Sequence, residues 1–217
     1  AWDDSLGPRP AVLVAPTWAG RTEFEGQNAR MLAELGYVGF AVDMYGKGLS
    51  GADKEECTAL MTPVVSDRAL LQARMAAAVS AARALPEVVD QPLAAIGFCF
   101  GGLCVLDLAR SRDDIAGVVS FHGILAAPDN IPEPRITAKV LVLHGYEDPM
   151  ADPDAMRAFC DEMTDAGGDW QLYAYGQTLH AFTNPHANDP DFGTVYNAVV
   201  AERAFASMRQ FLAEVTG

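Results

Sequence analysis

Three side chains able to carry out acyl transfer together stand along the chain in the order Cys99, Asp148, His180. Cys99 is the centre of Gly97-Phe98-Cys99-Phe100-Gly101, which follows an apolar run and opens a helical segment. That is the context of a nucleophile elbow, with cysteine in place of serine. Flanking glycines let the backbone turn sharply and lift the sulfur to a helix N-terminus. Beside an imidazole there, a thiol pKa of about 8.5 drops to roughly 3.5–7.5, so thiolate is available near neutrality. Asp148 lies in Gly145-Tyr146-Glu147-Asp148-Pro149, just after another apolar run. A carboxylate in that place can hold an imidazole in one tautomer and stabilise its cation, with Glu147 as the fallback. His180, in Thr178-Leu179-His180-Ala181-Phe182, follows the last apolar run and can move the proton.

Each residue also has a plainer reading. A cysteine is often a small buried hydrophobe, an aspartate before proline is often a turn residue or helix cap, and a histidine is often structural. The glycine frame of Cys99 and the order of the three residues favour chemistry over those readings. Cys104 and Cys160 fall on apolar helix faces and are expected in the core, whereas Cys57 is placed in a polar loop. His144 lies inside a strand and reads as core or as support for the site, His186 lies in a loop, and His122 ends a strand where it can line a pocket.

The elements that must position these groups alternate. Apolar runs at 11–15, 37–42, 93–98, 115–120, 138–144 and 170–175 predict strands covered on both faces. Segments near 24–35, 66–85, 101–110, 153–166 and 197–215 predict helices; Met156, Phe159, Cys160 and Met163 make one helical stripe. Loops are expected at Gly46-Lys47-Gly48, at 128–134 and at 184–193. Alternation of this kind implies an α/β fold with a doubly wound, mostly parallel sheet and a single domain over 1–217. In such sheets ligands bind beyond the carboxyl ends of the strands. Thr17, Trp18, Tyr45, Cys99, His122, Asp148 and His180 all fall there.

Composition narrows the function further. With 15 Lys plus Arg against 29 Asp plus Glu, the formal charge is −14, which repels nucleic-acid phosphates and anionic membranes. No membrane span is expected, because the apolar stretch 93–106 is shorter than the roughly 20 residues a bilayer requires and contains glycines. The four cysteines have neither zinc-finger nor CxxC spacing, so no metal site is expected and reduced thiols in the cytoplasm are the simplest reading. The start, Ala1-Trp2-Asp3-Asp4, does not read as a signal peptide.

Gly97-Phe98-Cys99-Phe100-Gly101-Gly102, His144-Gly145 through Asp148, and His180-Ala181-Phe182 together resemble the three signatures of the dienelactone hydrolase family, over nearly the whole chain. The resemblance implies an α/β-hydrolase fold without a large cap domain and no metal or organic cofactor. It further implies hydrolysis of small ester or lactone bonds through a cysteinyl acyl intermediate. By position it assigns Cys99 as nucleophile, Asp148 as orienting acid and His180 as base. The backbone N–H groups of Trp18 and Phe100 become the oxyanion hole, and Thr17, Tyr45, Phe121 and His122 become candidate pocket residues. Two departures stand out. The best-known members carry a glutamate where this chain has Thr17, and an arginine after the catalytic histidine where this chain has Asn184. Arg68 and Lys54 are then the candidates for a cation that would recognise a substrate carboxylate. Three rivals remain: an acyltransferase using the same triad, a non-catalytic small-molecule binding module, and a thiol sensor built on Cys99 and Cys104.

Overall fold

The uninterrupted apolar runs become the inner strands of one parallel sheet. The computed structural model describes residues 1–5 and 7–217. In chain order the elements are β1 (Ala11–Ala15), α1 (Glu23–Glu34), β2 (Val38–Ala41), α2 (Lys54–Ser66), α3 (Arg68–Arg83), β3 (Leu93–Phe98) and α4 (Phe100–Ser111). They continue with β4 (Ile115–Phe121), β5 (Lys139–Gly145), α5 (Pro153–Asp165), β6 (Trp170–Tyr175), β7 (Asn188–Asp189), β8 (Thr194–Val195) and α6 (Ala198–Thr216). Among the described residues the sheet runs β2-β1-β3-β4-β5-β6, with every neighbouring pair parallel.

Side chains alternate across each strand, so the sheet feeds two cores. Leu13, Ala15 and Ala95 face Leu71, Met75, Leu103 and Phe159 from α3, α4 and α5. Val12, Val14, Ile96 and Phe98 face Leu32, Met208, Phe211 and Leu212 from α1 and α6. The α5 stripe is buried at Met156, Phe159 and Met163, with Cys160 at its margin. The chain reverses its winding between β1 and β3, which makes the carboxyl ends of those two strands the topological switch point. Both the loop carrying Trp18 and the turn carrying Cys99 leave from there.

Two sequence expectations need correction. The polar loop assigned around Cys57 is helix α2, capped by Asp53, and Cys57 is buried against Gly51. Pro63 and the β-branched Thr58, Thr62, Val64 and Val65 hide this helix, and it buries only Cys57 and Val64. Within the loop expected at 184–193 lies β7, which pairs antiparallel with β8 just beyond it. Among the described residues, no helix is long and apolar enough to cross a membrane.

Candidate active site

The turn between β3 and α4 is made possible by what its glycines lack. A Cβ on Gly97 would lie 2.0 Å from the carbonyl oxygen of Gly101, and one on Gly101 would lie 2.2 Å from that of Ala15. With the backbones that close, Cys99 takes φ 56° and ψ −116°, a strained conformation for a residue with a side chain, costing about 1–3 kcal/mol. The surrounding structure holds it: the Cys99 N–H donates to the Phe121 carbonyl at 3.1 Å and to Nδ1 of His122 at 3.2 Å. The sulfur is thereby set at the first turn of α4.

His180 reaches the same place from the far side. Gly145 has no Cβ, and one would meet the Thr178 and Leu179 carbonyl oxygens at 2.4 and 2.8 Å, so the His180 loop passes directly over the end of β5. The hairpin strand β8 fixes that loop: His180 N–H donates to the Gly193 carbonyl at 3.0 Å and Val195 N–H to the His180 carbonyl at 3.1 Å. Nδ1 of His180 donates to Oδ2 of the buried Asp148 at 2.7 Å. The other Asp148 oxygen accepts the Met150 N–H at 2.8 Å, and His144 lies 3.6 Å from Oδ2 while its Nε2 bonds the Ala151 carbonyl. Glu147, the fallback acid, is exposed.

Nε2 of His180 is buried and, among the described residues, has no well-aligned hydrogen-bond partner. What it faces is Cys99, and the two groups shift each other. Burial pushes the Cys99 thiol up, but the charge and hydrogen bonding of His180, with the backbone N–H groups of Phe100 and Trp18, outweigh it and bring the thiol below its ordinary value. Burial alone would lower His180. The Cys99 thiolate and the Asp148 carboxylate instead raise it to about 10. Burial leaves Cys57, Cys104 and Cys160 with raised values, Cys104 most. Cys99 is thus the thiol disposed to ionise, as one half of a thiolate–imidazolium pair.

His122 has a second task that the sequence reading did not assign. It lines the cavity, but its Nδ1 accepts the Cys99 N–H and its Nε2 meets Thr183 Oγ1 at 2.7 Å. Burial, then the neighbouring His180 and His144, hold it well below the usual histidine range. A neutral ring protonated on Nε2 satisfies both contacts. Two histidines with ring centres 5.0 Å apart are therefore shifted in opposite directions.

The cavity over Cys99 measures about 560 Å³ and is bordered by Thr17, Trp18, Phe24, Met61, His122, Ile124, Met150, His180, Asn184 and Phe192, among others. Its walls are largely apolar. Thr17 and His122 lie where they were expected, but Tyr45 and Phe121 do not border it. Phe121 is the last residue of β4, and strand alternation turns it into the α6 core, stacked on Phe98 at 4.7 Å. Tyr45 is packed on Phe100, and its hydroxyl donates to the Trp18 carbonyl at 2.7 Å. Nor are the expected cations in place. Arg68 is engaged by buried Asp107, while Lys54 pairs with Asp189 at 2.8 Å and sits 4.2 Å over the Phe192 ring. Among the described residues, no lysine or arginine borders the cavity.

Comparison with known proteins agrees with this fold. The model of the dienelactone hydrolase family matches residues 2–216. The uncharacterized protein K02A2.1 of Caenorhabditis elegans is 37% identical over 155 residues, covering 70% of this chain and 98% of its own. The solved structure of m3DLH superposes with a TM-score of 0.93 at 37% identity, over 100% of this chain and 91% of that one. A dienelactone hydrolase-like promiscuous phosphotriesterase from metagenomic libraries gives a TM-score of 0.93 at 36% identity, with the same coverage.

Proposed function

This chain belongs to the dienelactone hydrolase family, and on that premise we propose that it is a hydrolase of small carboxylic esters or lactones working through a Cys99–His180–Asp148 triad. The observation that carries the reading is the open valence of His180: Nδ1 is committed to Asp148, while the buried Nε2 faces a strained cysteine at the floor of a cavity. In the reaction the Cys99 thiolate attacks the acyl carbon, and the Trp18 and Phe100 N–H groups receive the negative carbonyl oxygen. As the tetrahedral adduct collapses, the alkoxide takes the proton from Nε2 of His180 and leaves as alcohol, or stays tethered if the substrate is a lactone. Water then gives its proton to Nε2 and attacks the acyl-cysteine, releasing the acid and restoring thiolate and imidazolium. Asp148 keeps the ring oriented and stabilises its cation throughout.

The lining also bears on substrate charge. With no lysine or arginine at its edge among the described residues, the cavity has no dedicated cation for a substrate carboxylate, so neutral esters fit it better than anionic lactones. A neutral phosphotriester is a second reading, supported by the same lining and by the phosphotriesterase relative at 36% identity. The thiolate would attack phosphorus, the aryloxide would leave with the His180 proton, and water would clear the phosphoryl-cysteine.

Short-chain aryl esters, enol-lactones and an aryl dialkyl phosphate, each assayed with the native protein and with Cys99→Ala, test both readings. The expected result is ester turnover that disappears in Cys99→Ala, with one acyl group trapped on the Cys99 peptide in the native protein. Inactivity toward all three classes, or activity surviving in the alanine variant, refutes the triad.

A further inference from the structure

The loop that carries Trp18 is fastened from behind by groups that do not enter the cavity. Glu25, in the first turn of α1, is fully buried, and among the described residues no lysine or arginine pairs with it. Its Oε1 accepts the Thr17 N–H at 3.1 Å. Its Oε2 accepts the Thr22 N–H at 2.8 Å and the Thr22 hydroxyl at 2.7 Å. A capping box accounts for the Thr22 contacts, since the third helical residue reaches back to the cap. It does not account for the reach to Thr17. A buried carboxylate is costly unless donors surround it, and here one of those donors belongs to the residue just before Trp18.

Three consecutive peptide groups are fixed in this way. The N–H of Thr17, in the peptide entering that residue, is held by Glu25. The carbonyl of Trp18, in the peptide leaving that residue, is held by the Tyr45 hydroxyl at 2.7 Å. Between them the Thr17 carbonyl accepts the Gly20 N–H at 3.0 Å. A peptide group is planar, so with its carbonyl turned toward Gly20 the opposite edge, the Trp18 N–H, must point the other way. That way lies Cys99, whose thiol pKa this N–H helps to lower.

We propose that Glu25 and Tyr45 are positioning residues that aim the Trp18 N–H at the reacting centre. The inference rests on the reading of Trp18 as an oxyanion donor. The chain lacks a carboxylate at position 17, yet places one from Glu25 against the backbone of that same residue, behind the loop instead of inside the cavity.

Tyr45→Phe keeps the ring stacked on Phe100 and removes only the hydroxyl; Glu25→Gln keeps the shape and one acceptor; Glu25→Ala removes both acceptors. Steady-state kinetics on a neutral aryl ester and the pH dependence of Cys99 alkylation would be measured for each, with rates normalised to titrated thiol. Deleting an oxyanion donor outright costs about 10²–10³ in kcat, and a misaimed donor costs less. The expected losses are about tenfold in kcat for Tyr45→Phe and Glu25→Gln, with KM within about twofold, and larger in Glu25→Ala. The Cys99 alkylation midpoint should rise in all of them. A purely structural role would lower the melting temperature and leave both readouts in place. Native kcat per thiol and an unmoved midpoint in both Tyr45→Phe and Glu25→Gln overturn the proposal, whether or not Glu25→Ala folds. If Cys99→Ala were active, the triad reading itself would fall, which keeps the two failures distinct.

Discussion

Two of the clusters of buried charge among the described residues are finished to different degrees. On the outer side of α4, Arg110 gives Nε and Nη2 to Glu162 at 2.8 and 2.6 Å, Nη2 also to the Leu125 carbonyl, and Nη1 to Asp107 and the Ala126 carbonyl. Asp107 also receives Arg68 Nε at 2.7 Å. Around Asp148, by contrast, Nε2 of His180 and Nδ1 of His144 are buried with no well-aligned hydrogen-bond partner among the described residues. Burying polar atoms unpaired is costly, so a cluster with every valence closed ties elements together, whereas one left open keeps a place for a reacting atom. The first fastens α4 to α3 and α5. The second leaves an imidazole nitrogen open at the cavity floor.

The sharpest way to break this comparison is at Asp148. Asp148→Asn can hold the His180 ring but favours the wrong tautomer and removes the charge that stabilises its cation, so kcat should fall by roughly 10³–10⁴ while the fold persists. Native turnover in that variant would deny the cluster its role. Next comes pH. The thiol is lowered and His180 is raised to about 10, so the ion pair exists between those limits. As pH falls through the lowered thiol value the sulfur is protonated, and as it rises through about 10 the ring loses its proton. His180's share of folding stability is complete below its ordinary value and fades toward pH 10; that of Cys99 is complete above its ordinary value and fades on acidification. A bell-shaped rate profile with an acid limb below the free-thiol range is expected, and a limb near 9 contradicts the pair.

Arg110→Met tests the closed cluster. It strips Glu162 and part of Asp107 of a partner and should cost about 3–5 kcal/mol of stability in urea unfolding, with kcat per titrated Cys99 unchanged. A loss of turnover at constant stability would reverse the assignment. The smallest effect is expected from Thr17→Glu. Thr17 borders the cavity beside Cys99, and a negative charge there raises a thiol's pKa. One unit, about 1.4 kcal/mol, is enough to move part of the resting population from ion pair to neutral thiol. An unchanged alkylation profile would remove Thr17 from the account.

What could be read from the sequence was whatever depends on local pattern. Continuous apolar runs marked the inner strands because those strands are covered on both faces, and the frame around Cys99 was legible because no other residue than glycine fits at 97 and 101. The family motifs at Asp148 and His180 carried their positions across a chain whose loops converge only in three dimensions. Phe121 differs from expectation because a residue at a strand end can turn to either face, and Tyr45 because the turn after β2 folds it back onto Phe100; the sequence shows neither. Glu25 looked like an ordinary first-turn acid; the pattern Thr22-Glu23-Phe24-Glu25 gives the capping box but not the reach back to Thr17. Arg68 was available as a cation until α4 brought Asp107 against it.

The anchoring of His180 has a consequence for heat. Beyond the buried Phe182 and Thr183, the segment that follows it is held largely by short pairings: β7 and β8 are two residues each, and the backbone of His180 is tied to Gly193 and Val195 by two bonds. The sheet beneath has strands buried along their whole length, as β1 and β3 show. Regions with few buried contacts open at lower free energy than the core, often as a unit. Warming should therefore release the hairpin and swing the imidazole away from its thiol while the sheet is intact, and cooling should restore it. The protein would fall silent several degrees before calorimetry records its melting, and amide exchange at His180 and Val195 would report that opening ahead of the strands.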